Sequence, residues 1–152
     1  MPSSAAPLIQ LWQFFFPQEI KSFITRPSPG LTLKGPGFYE ISGLAYSGNG
    51  PINKVEVSAD GGKSWALAVL DARPEQVVHA VPHPLELEWS PAILQSRATD
   101  EAGNVQPTRA ALVTERGESK TVPPVTAVLA GHFNAITSWA TNPNGEVSHV
   151  YA

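Results

Sequence analysis

Apolar and polar positions alternate with a period of two along much of this chain. In KVEVS, Val55 and Val57 alternate with Lys54, Glu56 and Ser58; beyond Asp60-Gly61-Gly62 the residues Trp65, Leu67 and Val69 alternate again. Successive side chains of a strand point to opposite faces, so the pattern predicts a β-hairpin with the tryptophan and the valines on its core face. Asp-Gly supplies the positive φ angles of a tight reversal. Leu85, Leu87 and Trp89 alternate with two glutamates, and Leu94, Ser96 and Ala98 with Gln95 and Arg97 up to the turn DEAGN, which predicts two further strands.

The flanking segments read in the same way. EIKSFIT predicts a first strand, and Phe38 to Tyr46 (FYEISGLAY) a second, in which Gly43 marks a bulge or a close backbone approach. From Asp71 to Pro84 there are three prolines and no sustained period, so most of this stretch is expected to connect two sheets. Ala110 to Thr114 is expected as a short strand after Pro107. A Pro-containing link, Glu118 to Gly131, then leads to a terminal hairpin in which ITSWAT pairs with EVSHVY across Asn142-Pro143-Asn144-Gly145.

Composition sharpens this to a fold class. Fifteen prolines and twelve glycines in 152 residues interrupt helices and suit short strands joined by turns. The expectation is an all-β protein, an immunoglobulin-like (E-set type) two-sheet β-sandwich. Its organisation reads as an N-terminal extension over residues 1–19, the sandwich over 20–117, and a link and C-terminal hairpin over 118–152 packing on the same domain. Apolar PLIQLWQFFFP (Pro7 to Pro17) lacks a basic leader and a cleavage site and is shorter than the roughly 20 residues of a membrane span; it reads as a strand or flap covering the domain. No export signal is read in the chain, and no membrane association is expected.

Charge and side-chain chemistry exclude several functions. A net charge of −3 with no basic run argues against nucleic acid as a partner. With no cysteine there is no disulfide, thiolate metal site or cysteine nucleophile. His79 and His83 have a helical metal-ligand spacing, but Pro82 and Pro84 impose extended geometry, and His132 and His149 add no pattern, so no metal site is expected. No GxSxG elbow is present. Ser58, Asp60, Gly62 and Trp65 form an SxDxGxxW hairpin whose physics is structural: Asp60 bonds turn amides, Gly62 permits the reversal, and Trp65 anchors the packing.

KSFITRPSPG, GPGFYEISGLAYSGNGPINKVEVSADGGKSW, LQSRATDEAGNVQPTRA, the Arg116-Gly117 pair and HFNAITSWATNPNGEVSHVY occur in one order. Together they resemble the molybdenum-cofactor oxidoreductase dimerisation domain of the sulfite oxidase family, most of all in the molybdenum subunits of bacterial sulfur-oxidation dehydrogenases. The resemblance implies a domain that follows a molybdopterin-binding domain and pairs with its own copy. It also implies a periplasmic parent enzyme, with a cytochrome c subunit as a further partner. The family's molybdenum is held by a dithiolene and a cysteine of the preceding domain, so this chain is expected to bind no cofactor and to be inactive toward sulfite alone. By the same resemblance, Arg116 would reach toward an anionic substrate, while His132 and Asn134 are turn or interface residues.

Two other readings compete with homodimer assembly. One is a free-standing adhesion or carbohydrate-binding module with an aromatic strip drawn from Tyr46, Trp12 or Trp139. The other is a chain that completes a separately encoded molybdenum domain in trans through Arg116.

Overall fold

The computed structural model describes residues 17–35, 37–71, 77–86, 91–116 and 133–150, with only the backbone described for 77–86 and Arg116. Two antiparallel sheets face each other. The first runs in the order β1-β2-β6-β5, from β1 (Lys21–Arg26), β2 (Phe38–Tyr46), β6 (Val77–Glu86) and β5 (Val69–Leu70). The second runs β4-β3-β7-β8-β9, from β4 (Ala66–Leu67), β3 (Ile52–Ser58), β7 (Ala92–Asp100), β8 (Ser138–Thr141) and β9 (Val147–Val150). One helix, α1 (Arg109–Arg116), follows β7. This is the two-sheet sandwich that the alternation predicts.

The core lies where the inward positions of the two sheets meet. Ile24, Ile41 and Ala45 come from the first sheet, Ile52, Val55, Leu94 and Ala98 from the second, and Ile20 and Ala68 close the cluster from beside the strands. Removing such side chains from water is the main driving force of folding, at about 25 cal/mol per Å² of apolar surface. Gly43 is paired with Ile24 beside the β1–β2 register shift, and a Cβ there would collide with the Phe23 carbonyl. The expected close approach is therefore real, and only glycine permits it.

Three expectations are corrected. Ala110 to Thr114 is not a strand but the middle of α1. Thr108 caps the helix, its Oγ1 accepting the Ala111 N–H (3.2 Å) and its carbonyl the Leu112 N–H (3.0 Å), and Leu112 is buried beneath it. Four apolar residues in a row carry no period, and two alanines and a leucine favour helix once a cap is in place.

Secondly, Leu67 and Val69 do not face the core; they are 69% and 54% exposed, and Trp65 is only half-buried. The chain leaves the second sheet after Leu67 and joins the first at Val69, so Ala68 turns inward, its N–H donating to the Val55 carbonyl (2.8 Å). Leu67 pairs with Glu56 and Ala66 with Val57, so Leu67 shares the outer face with Glu56, and the alternation then runs unbroken through the change of sheet, with Ala66, Ala68 and Leu70 inward.

Thirdly, Asp71 to Pro84 is not mainly a connection, because β6 begins at Val77. Ile41 pairs with Ala80 and Tyr39 with Leu85, so residues 81–84 bulge opposite Glu40 alone, and β5 reaches only Val78 and His79. Pro82 and Pro84 thus occupy stretches without a regular ladder, where a missing N–H costs little. Of the strand expected through Leu85, Leu87 and Trp89, Leu85 lies in β6 and residues 87–90 are outside the described residues, as are the N-terminal segment 1–16 and the link 118–131.

Candidate functional site

Among the described residues, the outer face of the first sheet carries several large apolar side chains. Ser22 and Ile24 are buried, which puts Phe23 on the outside of β1; Ile41 and Ala45 are buried, which puts Phe38, Glu40, Ser42 and Leu44 on the outside of β2. Phe23 and Leu44 are direct cross-strand partners. Phe38 is 68% exposed, Leu44 39%, and Val69 lies on β5 at the far side. A row of large apolar side chains left in water on one sheet face marks an interaction surface.

The outer face of the second sheet closes on itself. Glu56 and Arg97 are cross-strand partners, and the guanidinium donates to Glu56 Oε2 from Nη2 (3.0 Å) and Nε (3.2 Å). Lys54 adds a contact to the same carboxylate at 3.3 Å. The Arg97 guanidinium also lies 4.3 Å from the Trp65 ring centroid, and the indole donates to the Gly62 carbonyl (3.0 Å). Next to it Gln95 Nε2 donates to Ser138 Oγ (2.8 Å).

The SxDxGxxW residues build this cap. Ser58 Oγ donates to Asp60 Oδ1 (2.8 Å) and accepts from the Gly62 N–H (2.8 Å). Asp60 Oδ1 further accepts the Lys63 and Ser64 N–H groups, both at 2.9 Å, and its Oδ2 accepts the Ser64 hydroxyl at 2.6 Å. Those bonds from Ser64, then Ser58 and Lys63, hold the Asp60 carboxyl well below the usual carboxylate range. Gly62 has φ +85°, and a side chain there would meet Gln95 Oε1. These contacts are all internal to the hairpin and its neighbours.

At one end of the sandwich, Gln106 ties the two sheets. Its Oε1 accepts from Ser22 N (2.9 Å), Ser22 Oγ (2.7 Å) and Ala98 N (3.3 Å), and its Nε2 donates to the carbonyls of Ser22 (3.1 Å) and Ala135 (3.3 Å). Lys21 Nζ donates to the Ala135 carbonyl (2.6 Å) and Thr137 Oγ1 (3.1 Å), and partial burial pushes its pKa down to about 8. Phe133 lies between the cations of Lys21 and Arg109, at 5.9 Å and 5.7 Å. No sequence pattern singles out Gln106 or Lys21; Gln106 sits in a loop after a turn, and only its burial reveals it.

Arg116 is the last residue of α1, at this same end, and its side chain lies outside the described residues. His79 and His83 both lie on the extended strand β6, His132 is outside the described residues, and His149 makes an edge contact with Trp139. Among the described residues no group of three His, Cys, Asp or Glu could hold a metal, and the chain has no cysteine. Tyr46 and Trp139 belong to opposite sheets, and the Trp139 indole donates to the Ile24 carbonyl (2.9 Å), so they form no common strip; Trp12 is outside the described residues. Asn134 is buried before β8.

Residues 14–120 match the family model of the Mo-co oxidoreductase dimerisation domain. The chain belongs to this family. It is 34% identical over 104 residues to an NADH nitrate reductase of Oryza sativa subsp. japonica, covering 58% of this chain and 11% of the relative. It is 32% identical over 96 residues to the mitochondrial sulfite oxidase of Homo sapiens, covering 58% of this chain and 17% of the relative. The crystal structure of the sulfane dehydrogenase SoxCD from Paracoccus pantotrophus superposes with a TM-score of 0.75 at 38% identity, covering 89% of this chain and 33% of that one.

The Mo-co dimerisation domain is thus a dimerisation module of the sulfite-oxidase type, and the chain spans less than a fifth of these curated relatives and a third of the solved chain. The donor set among the described residues does not fit a molybdenum centre, since it offers neither a thiolate nor a cluster of ligands. Among the described residues no helix is long and apolar enough to cross a membrane.

Proposed function

We propose that this Mo-co dimerisation domain pairs with a second copy of itself through the outer face of the β1-β2-β6-β5 sheet. It would do so as part of a molybdenum enzyme whose cofactor is held elsewhere. The observation that carries the reading is the outward-facing apolar row Phe23, Leu44, Phe38 and Val69 on that sheet, set against a second sheet whose polar groups already bond one another. The 27 strand residues of that sheet, each about 3.3 Å by 4.8 Å, give a footprint of ~430 Å² per copy before side-chain relief, so a two-fold pair approaches the ~1,000 Å² of a stable interface. Dilution followed by light scattering tests it: a mass of two chains that persists on dilution supports the reading, and a monomer throughout overturns it.

Similarity to sulfite oxidases and a sulfane dehydrogenase supports a sulfur oxyanion or sulfane substrate for the parent enzyme, which we further propose to be periplasmic and to work with a cytochrome partner. The chain alone is then inactive toward sulfite. Arg116 is the residue by which the domain would touch that substrate, because a planar guanidinium can donate two parallel hydrogen bonds to an oxyanion. Arg116→Met in the enzyme carrying its molybdenum domain should lower turnover while leaving the dimer intact; unchanged turnover would remove Arg116 from the site.

A further inference from the structure

A cleft of about 510 Å³ opens at the end of the sandwich where the chain enters β1, away from the apolar sheet face. Ile20, Val105, Pro107 and Leu112 supply an apolar floor, of which Ile20 and Leu112 are buried. Its polar lining consists of Glu19, Glu115 and three asparagines: Asn49 from the β2–β3 turn, Asn104 from the β7–α1 link, and Asn134. Asn134 is only 5% exposed, yet its Oδ1 accepts no hydrogen bond. A buried acceptor left without a donor costs about 1–3 kcal/mol, so such atoms persist where something else supplies the donor.

The chemistry of that donor follows from the lining. Among the described side chains, the charged residues that line it are carboxylates, and Lys21 and Arg109 contact Phe133 and do not line the cleft. An orphaned amide oxygen in a cleft that Glu115 also lines, over an apolar floor, suits a cation with several fixed N–H donors on an aliphatic stem. We infer that this cleft binds an alkylguanidinium group, with Asn134 Oδ1 and Glu115 accepting from the guanidinium and Ile20 and Leu112 packing on the stem. A lone buried water would satisfy Asn134 Oδ1 but would leave Glu115 and the apolar floor without a role.

Agmatine titrated into the intact chain, followed by amide and methyl NMR shifts, tests this. Saturable shifts confined to Ile20, Asn104, Leu112 and Asn134 are expected, with affinity reduced about fivefold in Glu115→Gln, an exposed substitution that leaves the core untouched. Butylurea, neutral and of similar shape, should shift nothing. An arginine capped at both ends distinguishes the source: binding of the capped form assigns the cleft to a partner's arginine side chain, and binding of agmatine alone assigns it to a free ligand. No saturable shift, equal binding of butylurea, or shifts spread equally over Glu101 and Glu146 would overturn the inference. Because the cleft lies off the apolar face, none of these outcomes depends on whether the chain dimerises.

Discussion

The two outer faces of this sandwich solve the same problem in opposite ways. Each belongs to an antiparallel sheet whose inner side is committed to the core, so each is free to be whatever its environment demands. On the β3–β7–β8 side the large polar groups Lys54, Glu56, Arg97 and Gln95 find neighbours: Glu56 with Arg97 and Lys54, Arg97 over Trp65, Gln95 with Ser138. The β1–β2–β5 side presents the large apolar side chains Phe23, Leu44, Phe38 and Val69. A face that satisfies itself is finished as a monomer surface, whereas an apolar face lowers its free energy only by being covered.

The sharpest way to break the comparison is to remove the tie that holds the two faces apart. Gln106→Leu strips partners from Ser22 and Ala98 inside the sandwich and should cost about 3 kcal/mol in urea unfolding, with both sheets lost together. A loss confined to one sheet would show that Gln106 does not couple them. Next comes the apolar face itself: Phe38→Lys combined with Leu44→Lys should weaken the dimer on the order of 100-fold by sedimentation, without loss of monomer stability. The matched change on the other face, Lys54→Glu, should leave the dimer as it is.

Arg97→Ala opens the polar face and should cost about 1 kcal/mol, split between Glu56 and the Trp65 ring; a double-mutant cycle with Trp65→Leu measures the second share. A pH slope is the remaining effect. Lys21 titrates near 8 in the fold because burial disfavours its charge, against 10.5 in the open chain. Between those values the unfolded state binds more protons, so stability should rise as pH climbs from about 8 toward 10; the penalty for burying the charge is fully present below 8. Lys21→Met should flatten that slope.

Much of the sandwich is legible in the residues alone. Val55, Leu94 and Ala98 face inward as their alternation requires, and the turn at Asn142 to Gly145 joins β8 to β9 as expected. The departures have one physical origin, which is that local pattern does not say what a segment will pack against. The run Ala110 to Val113 suits a strand or a helix, and the Thr108 cap decides for helix. Pro82 and Pro84 have the chemistry of strand breakers, but the bulge opposite Glu40 gives them places without a ladder. The candidate interface is hidden for a related reason: β2 has apolar residues on both faces, Ile41 and Ala45 on one and Phe38 and Leu44 on the other, so its alternation does not say which side is the core.

By itself, then, the sequence determined the strands with clean alternation, the turns with Gly and Asn, the absence of a thiolate and the family, because each depends on residue identity or on neighbours close in the chain. Only the tertiary structure decided which side of β2 is buried, that the chain changes sheets at Ala68, that Gln106 joins β1 to β7, and that Asn134 faces a cleft with an unanswered oxygen. Those features arise between residues far apart in the chain, such as the 84 positions separating Ser22 from Gln106, and burial assigns their meaning only after the two sheets have closed.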